Sequence, residues 1–584
     1  MIPVLPFKDP DPNQRQKQLE TAREDFQFDF SYHDIAWSKK IPPSQVYSPD
    51  CMAKLVENTL EAKYDYAKWA ETKGLLDLEK SFLTVFSKLT HGLPTHQSGI
   101  SGVEVGENAP TERPPSEEAY AEVFQNIKRF PISETYQQDW NFAWQKVAGN
   151  VPVLIKRLAA LPANFPVSNA QFRLTAGGDD SLEAALSEGR LFLVDYQSMA
   201  QCKGGEVYGF KKYIYAPMVL LTRLKSPTTQ PFDLVPVAIQ CGQIPGKEAP
   251  IYTPADGAFW RCAKYAAQVA EADIHSTIVH FAYCHTLSEI FTLATKRSLA
   301  ENHPLMVLMD HHFEWTLSAN DVIRRLFAVI GGSIDVLLAP SLEGTLNLVR
   351  ESIAVFDLNK HTPPEIFEHR DVADADALPV YPFRDDTMRL WRPLKTMVDA
   401  YVALYYTSDA DVVKDVEVQA WVRELQARDG GRLQGIGNQG KVETVDQLSR
   451  LVAQVIYRVS AFHAAINYMS FPTISFAPNM AYAGFAPVPL PDHPDPEQAL
   501  AQMMPPWKYA WFQFESLWGQ MSLWQNQIGK YPPFQFKDHR VRPIMARFKQ
   551  ALEEAESAIN ADNTKRPIAY TVQLPTQVTA SVQC

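Results

Sequence analysis

Three histidines, His275, His280 and His285, recur at five-residue intervals inside the strongly helix-forming run Trp260–Asn320. In an ideal α-helix five residues turn through about 500°, which leaves such side chains roughly 140° apart. They then cannot face a common point. A π-helical turn closes at i+5 and brings them to one side, and such bulges cluster at functional sites. The spacing therefore predicts a π-bulge around His280–His285, with Phe281, Ala282, Tyr283 and Cys284 between the two imidazoles. A second helical stretch, YRVSAFHAAIN, carries His463 and Asn467 four residues apart. That separation puts both on one helix face, about 40° apart. Imidazole nitrogens with amide or carboxylate oxygens suit iron or manganese and leave positions open for substrate chemistry. His-x4-His alone is a weak signal and His-x3-Asn a weaker one, so the surrounding sequence has to carry the argument.

The rest of the chain sets the frame. Of 584 residues, 55 are Lys or Arg and 67 are Asp or Glu, a formal charge of −12. Phosphate contact needs clustered cations, so nucleic acid is excluded as the main partner. An apolar content of 46% supports a large core and excludes a disordered chain. Six cysteines in so long a chain make no disulfide scaffold and fit a reducing compartment. The N-terminus has no basic start followed by an apolar run, and no stretch of about 18 apolar residues occurs, so the expectation is a soluble, cytoplasmic-type protein.

Residues 1–50 are rich in Pro, Asp and Gln and are expected to form an extended arm. Residues 51–91 read as helical, and 92–117 as a loop dense in Gly, Pro, Ser and Thr. Beyond Tyr120 long helical segments dominate. The exception is a set of short Val-, Leu-, Ile- and Tyr-rich runs, Arg190–Tyr196, Tyr213–Thr222 and Leu234–Gln240, read as a small sheet set into a helical body. The division expected is an N-terminal arm with a helical extension over 1–118, packed on a catalytic domain over 119–584. The aromatic run PPWKYAWFQFESLWGQMSLW at 505–524 reads as a buried helix, with contact to a membrane surface as the competing reading.

In this order of motifs the chain resembles the lipoxygenase family. The family pattern runs roughly W-x-x-A-K, His-x4-His-x-x-x-E, R-x-L-x-x-x-H-P, H, N-x-x-x-R. Here stand Trp260, Ala263-Lys264, His280, His285, Glu289, Arg297, Leu299, His303-Pro304, His312, Asn320 and Arg324, in sequence. WNFAWQKVAGNVP upstream, and DVVKDVEVQAWVREL, SAFHAAIN and FAPNMAYA downstream, resemble further family blocks, so the resemblance covers about residues 120–584. It implies a mainly α fold: a large helical catalytic domain with a small β-sheet subdomain and a π-bulged metal-binding helix. It implies metal ligation by His280, His285 and His463, with Asn467 binding weakly or through water. The last ligand would be the main-chain carboxylate of the terminal residue, Cys584 here, whose thiolate is a softer competitor. It implies a single non-haem iron, with manganese the less favoured metal. It also implies an apolar pocket walled by Leu287, Ile323, Phe327, Ile334, Leu337 and Leu338.

The activity implied is insertion of O2 into 1,4-pentadiene polyunsaturated fatty acids such as linoleate, linolenate or arachidonate, by hydrogen abstraction at Fe(III)–OH, giving hydroperoxides. A hydroperoxide isomerase or lyase using the same site is the alternative, and a lipid-binding protein with a dead site is a third. Three departures stand out. Ile323 occupies a position that is usually Ala or Gly and goes with S or R oxygenation. Ser276 and, approximately, Ser470 stand where some plant members carry Gln. Met480 falls where some members have an Arg thought to meet the substrate carboxylate, which favours entry methyl end first. The length leaves no room for the N-terminal lipid-binding β-barrel of many eukaryotic members, so the short form resembles bacterial or cyanobacterial ones, with transient membrane-surface contact falling to the helical segment around 51–91 or to exposed apolar residues of 505–524.

Overall fold

A computed structural model describes residues 3–75, 109–225, 229–521 and 526–583. Helices dominate. The first, α1 (Pro12–Asp25), corrects the expectation of an arm without regular structure. Few of its residues are apolar, which hides it from a periodicity search. Its start is nevertheless well marked: Pro12 takes the first helical position and the Asp11 carboxylate accepts from Gln14 N at 3.0 Å. Next comes a two-stranded ribbon, β1 (Phe28–Asp29) with β2 (Trp37–Ser38), and then α2 (Pro49–Thr72), capped by Ser48. The helix expected over 51–91 is thus present to Thr72, and the remainder from residue 76, with most of the expected 92–117 loop, lies outside the described residues.

The small sheet is real and antiparallel throughout. Its order is β3 (Lys156–Arg157), β4 (Leu191–Asp195), β5 (Met218–Arg223), β6 (Leu234–Gln240) and β7 (Ile251–Tyr252). The register pairs Leu193 with Leu220 and Leu220 with Ala238, with a bulge between Leu220 and Leu221. Tyr213–Pro217, expected in the strand, precede it. The central strands are buried on both faces, and their period of two divides them between two cores. Phe192, Val194, Val219 and Leu221 point into the main helical core. Leu191, Leu193, Met218 and Leu220 point the other way, onto Phe165 and Phe172.

The centre of the molecule is one helix without a break from Ala258 to Ser298. It has three parts: α3 (Ala258–Ile274), a π-helical stretch His275–Thr286, and α4 (Leu287–Ser298). The bulge expected around His280–His285 exists and extends a full turn further toward the N-terminus. Beside it run α5 (Thr316–Val322), continued by a second π-helical turn at Ile323–Phe327, and α6 (Ser333–Leu337). Opposite stands α7 (Val445–Tyr457), which passes through a third π turn at Arg458–Phe462 into α8 (His463–Asn467). Most of the aromatic run forms α9 (Trp507–Met521), with Trp507, Trp511, Phe514 and Leu517 buried, as the reading of a buried helix expects. Among the described residues no helix is long and apolar enough to cross a membrane. The described cysteines are all free thiols.

Candidate metal centre

The π-helical turns do what the histidine spacing requires. His280 and His285, five residues apart, bring their Nε2 atoms to 3.1 Å from each other. His463 arrives from the opposite helix, its ring 5.6 Å from each of the other two. One nitrogen from each of the three imidazoles lies within 4.8 Å of the others. Two nitrogens bound at about 2.1 Å and at right angles around one cation are about 3.0 Å apart, so the His280–His285 separation matches a shared ion. His285 and His463 are buried, while His280 keeps partial access through a cavity that it lines. Burial holds His280 well below the ordinary imidazole range and pushes His285 down to about 4. Both rings are therefore neutral, the form that binds metal.

Hydrogen bonds set which nitrogen of His285 is available. Asn320 Nδ2 donates to the His285 carbonyl at 3.0 Å and to Glu289 Oε2 at 2.6 Å. Its Oδ1 must then accept, and His285 Nδ1 donates to it at 2.8 Å. The Nε2 lone pair is left pointing at His280. Orientation of a ligating ring through its second nitrogen is the usual arrangement in metal sites. Glu289, wholly buried, is pushed up to about 8 by desolvation, with Asn320 and the Ser38 N–H opposing the shift.

His275 has a separate role. Its ring lies parallel to that of His280, centroids 5.3 Å apart. Its Nε2 faces Ile466 O at 3.2 Å and Ser470 Oγ at 3.1 Å, and its Nδ1 faces Ser276 Oγ at 3.2 Å. Ser470 Oγ in turn donates to Asn467 O at 2.8 Å. The two serines that replace amide side chains are thus joined by an imidazole, and the chain of contacts ends at the residue expected to be a weak ligand. Asn467 itself is buried one turn after His463.

Cys584 lies outside the described residues. The segment leading to it is held through backbone carbonyls. His312 Nδ1 donates to Ala580 O at 2.8 Å, Thr316 Oγ1 to Val582 O at 3.3 Å, and Tyr47 Oη to Gln583 O at 3.1 Å. Gln583 reaches the wall of the same cavity as His280.

That cavity has a volume of about 500 Å³. Ile323, Phe327, Ile334, Leu337 and Leu338 all line it, as do Ser276 and Ser470. Leu287 does not. It follows the π stretch by one residue, is wholly buried, and packs into the core behind the histidines. Met480 is also wholly buried and away from the cavity wall, its sulfur 3.1 Å from Asn150 Nδ2. The residues that sequence reasoning did not assign are Asn320, Glu289 and His312, present as motif positions without a role, and Ser38 and Tyr47, which carry no motif signal.

Comparison with known proteins agrees with this geometry. The lipoxygenase family model matches residues 126–571. The chain is 35% identical over 479 residues to a linoleate 9/13-lipoxygenase of Pseudomonas aeruginosa, covering 79% of this chain and 68% of that protein. It is 32% identical over 464 residues to the human polyunsaturated fatty acid lipoxygenase ALOX15B, covering 78% and 68%. The crystal structure of coral 8R-lipoxygenase superposes with a TM-score of 0.86 at 24% identity, over 100% of this chain and 83% of that one, which speaks to the fold. With three histidines gathered from two helices, two of them on the wall of an apolar cavity, the chain belongs to the lipoxygenase family of dioxygenases.

Proposed function

We propose that the protein is a non-haem iron dioxygenase that converts polyunsaturated fatty acids with a 1,4-pentadiene, linoleate, linolenate or arachidonate among them, into hydroperoxides with O2 as co-substrate. The observation that carries this reading is the convergence of His280, His285 and His463, two of which, His280 and His285, line a cavity whose remaining surface is mostly aliphatic and aromatic. The ligand set of neutral imidazoles with oxygen donors suits iron or manganese, and iron is assigned on the family resemblance. Asn467 and, where the chain ends at Cys584, its main-chain carboxylate are the oxygen ligands assigned. Bound there, iron supplies the one-electron oxidation that removes a bis-allylic hydrogen.

The chain's own residues then have separable tasks. Ile323, Phe327, Ile334, Leu337 and Leu338 hold an acyl chain by apolar contact, each buried CH2 contributing about 0.8 kcal/mol. Ile323, one residue before Arg324 and on the cavity wall, limits access to one end of the pentadiene by its volume. Among the described residues Arg325 is the only Lys or Arg on that wall. Its side chain is 53% exposed and its Nε donates to Asp321 at 2.8 Å. An exposed cation of this kind contributes at most about 1 kcal/mol to a carboxylate. The substrate therefore enters methyl end first and leaves its carboxylate at the open side.

Linoleate supplied under air tests the reading: oxygen uptake should accompany growth of conjugated-diene absorbance, and elemental analysis should find close to one iron per chain. Iron-loaded protein that consumes no oxygen with any of the three acids refutes it. Free acids and their methyl esters should turn over within a few-fold of each other, whereas strong loss with esters counts against methyl-first entry.

A further inference from the structure

We propose that residues 26–47, which lie outside the part of the chain matched by the family model, form a strap that positions the metal centre from outside the catalytic helices. The proposal rests on reading the histidine cluster as a metal site. The strap meets the centre's surroundings at two independent points. At the first, Ser38 N donates to Glu289 Oε1, whose other oxygen accepts from Asn320, the residue that fixes the His285 ring. At the second, the Tyr47 hydroxyl donates to the carbonyl of Gln583, on the segment that leads to Cys584. Further contacts hold the strap in place. The Trp37 ring packs 6.0 Å from Phe281 between the two metal-facing histidines. Gln45 O accepts from Ser318 Oγ of α5 at 2.7 Å. Asp29 pairs with Arg324 at 3.3 Å, and Tyr32 Oη donates to Ala328 O at the end of the second π turn.

The geometry gives this contact set a specific consequence. Glu289 is one of the two acceptors that hold the Asn320 amide, the other being the His285 carbonyl, and through it helps to hold the His285 tautomer. Glu289 is buried, and its second oxygen is satisfied by a backbone N–H from the strap. Without that donor the carboxyl group loses one of its two fixed partners, and the Asn320 amide loses part of its hold. Such outer partners of metal ligands typically contribute 10–100-fold in metal affinity. Ser38 and Tyr47 are therefore positioning residues, acting through Glu289 and the Gln583 carbonyl.

The test uses the iron-loaded full chain and follows metal release to excess chelator, together with the ferric electron paramagnetic resonance line shape. Tyr47→Phe removes one hydroxyl. Glu289→Gln turns one accepting oxygen into a donor and deprives Ser38 N or Asn320 of its acceptor. Ser38→Pro deletes the N–H itself. Lys40→Ala, at an exposed strap residue whose ammonium pairs with Asp25, is the control. Tyr47→Phe and Glu289→Gln should each release iron about 10-fold faster and alter the line shape, while Lys40→Ala does neither. A role confined to stability would lower melting temperature and leave both readouts unmoved. Should Ser38→Pro fail to fold, the other two variants decide. Wild-type protein that takes up no iron overturns the metal-centre reading itself. Wild-type protein that holds iron, with variants that release it no faster, overturns the strap alone.

Discussion

Replacing Asn320 with Ala separates what this residue does for the fold from what it does for the metal. The amide makes three buried hydrogen bonds: it accepts from His285 Nδ1 and donates to His285 O and Glu289 Oε2. Truncation leaves His285 Nδ1 and Glu289 Oε2 without this partner, at roughly 1–3 kcal/mol for each buried group left unsatisfied, while the His285 carbonyl keeps Ser288 Oγ at 2.8 Å. The vacated space admits a water that restores part of the loss, so about 3 kcal/mol of apo-protein stability should go. A second loss appears only when metal is present. With the His285 ring no longer fixed, affinity should fall 10–100-fold, which removes about 1.4–2.7 kcal/mol of the stabilisation that saturating metal confers. Urea unfolding followed by circular dichroism, run anaerobically with and without a fixed excess of Fe(II), reads both. The expected outcome is a loss of about 3 kcal/mol without metal and about 5 kcal/mol with it. Equal losses under the two conditions would show that Asn320 supports packing and leaves the ligand unaffected, and the tautomer argument would fall.

Three other outcomes follow from the same geometry. Ile323→Ala removes three carbon groups from the cavity wall, so chiral chromatography of the linoleate products should show a shift in the oxygenated carbon or its configuration, with folding stability reduced by about 2 kcal/mol. Ser470→Ala breaks the link from His275 to the Asn467 carbonyl; kcat should fall several-fold and KM should hold, and a change confined to KM would place Ser470 in substrate binding. Away from the site, Asp538 is held down to about 2 by the Arg540 guanidinium. Its folded-state pKa lies below its ordinary value, so its contribution to stability is complete above about pH 4 and is lost as pH falls through 2. Asp538→Asn should lower stability at neutral pH and flatten the acid limb of the stability profile, as measured by urea unfolding across pH 2–7.

Much of this site was readable because metal chemistry constrains sequence spacing. Three imidazoles at intervals of five inside a helix-forming run are uninformative in α geometry and meaningful in π geometry, and the structure has the π geometry. Ile323, Phe327, Ile334, Leu337 and Leu338, expected from register on the apolar wall, line the cavity. Leu287 failed because helical register past a π turn no longer follows 100° per residue; the extra residue per turn rotates it away from the cavity and into the core. The α1 helix escaped notice because its stability comes from Asp11, Pro12 and the burial of Arg15 against Glu417 rather than from an apolar stripe.

What stayed hidden shares one physical character. The strap and the C-terminal segment are tied down through main-chain groups: Ser38 N, Gln45 O, Ala580 O, Val582 O and Gln583 O. Every residue type has a carbonyl, and every residue but proline has an N–H, so contacts of this kind impose almost no side-chain pattern. This also accounts for how residues 579–583, TASVQ, reach the cavity wall at Gln583 with little side-chain pattern of their own. Because the carbonyls of residues 580, 582 and 583 are what His312, Thr316 and Tyr47 grip, substitutions among the gripped residues should be tolerated, while losses of the three gripping side chains should not. Ser581→Ala and His312→Phe form the decisive pair. The Ser581 hydroxyl donates to Glu314 O at 2.9 Å and accepts from Gln583 Nε2 at 3.2 Å, and neither contact grips a tail carbonyl, so its loss should leave iron content unchanged. His312→Phe keeps the ring but loses the Nδ1–H that holds Ala580 O, and it should reduce retained iron after dialysis several-fold. Equal retention by the two variants would mean that the tail is placed by side-chain packing instead.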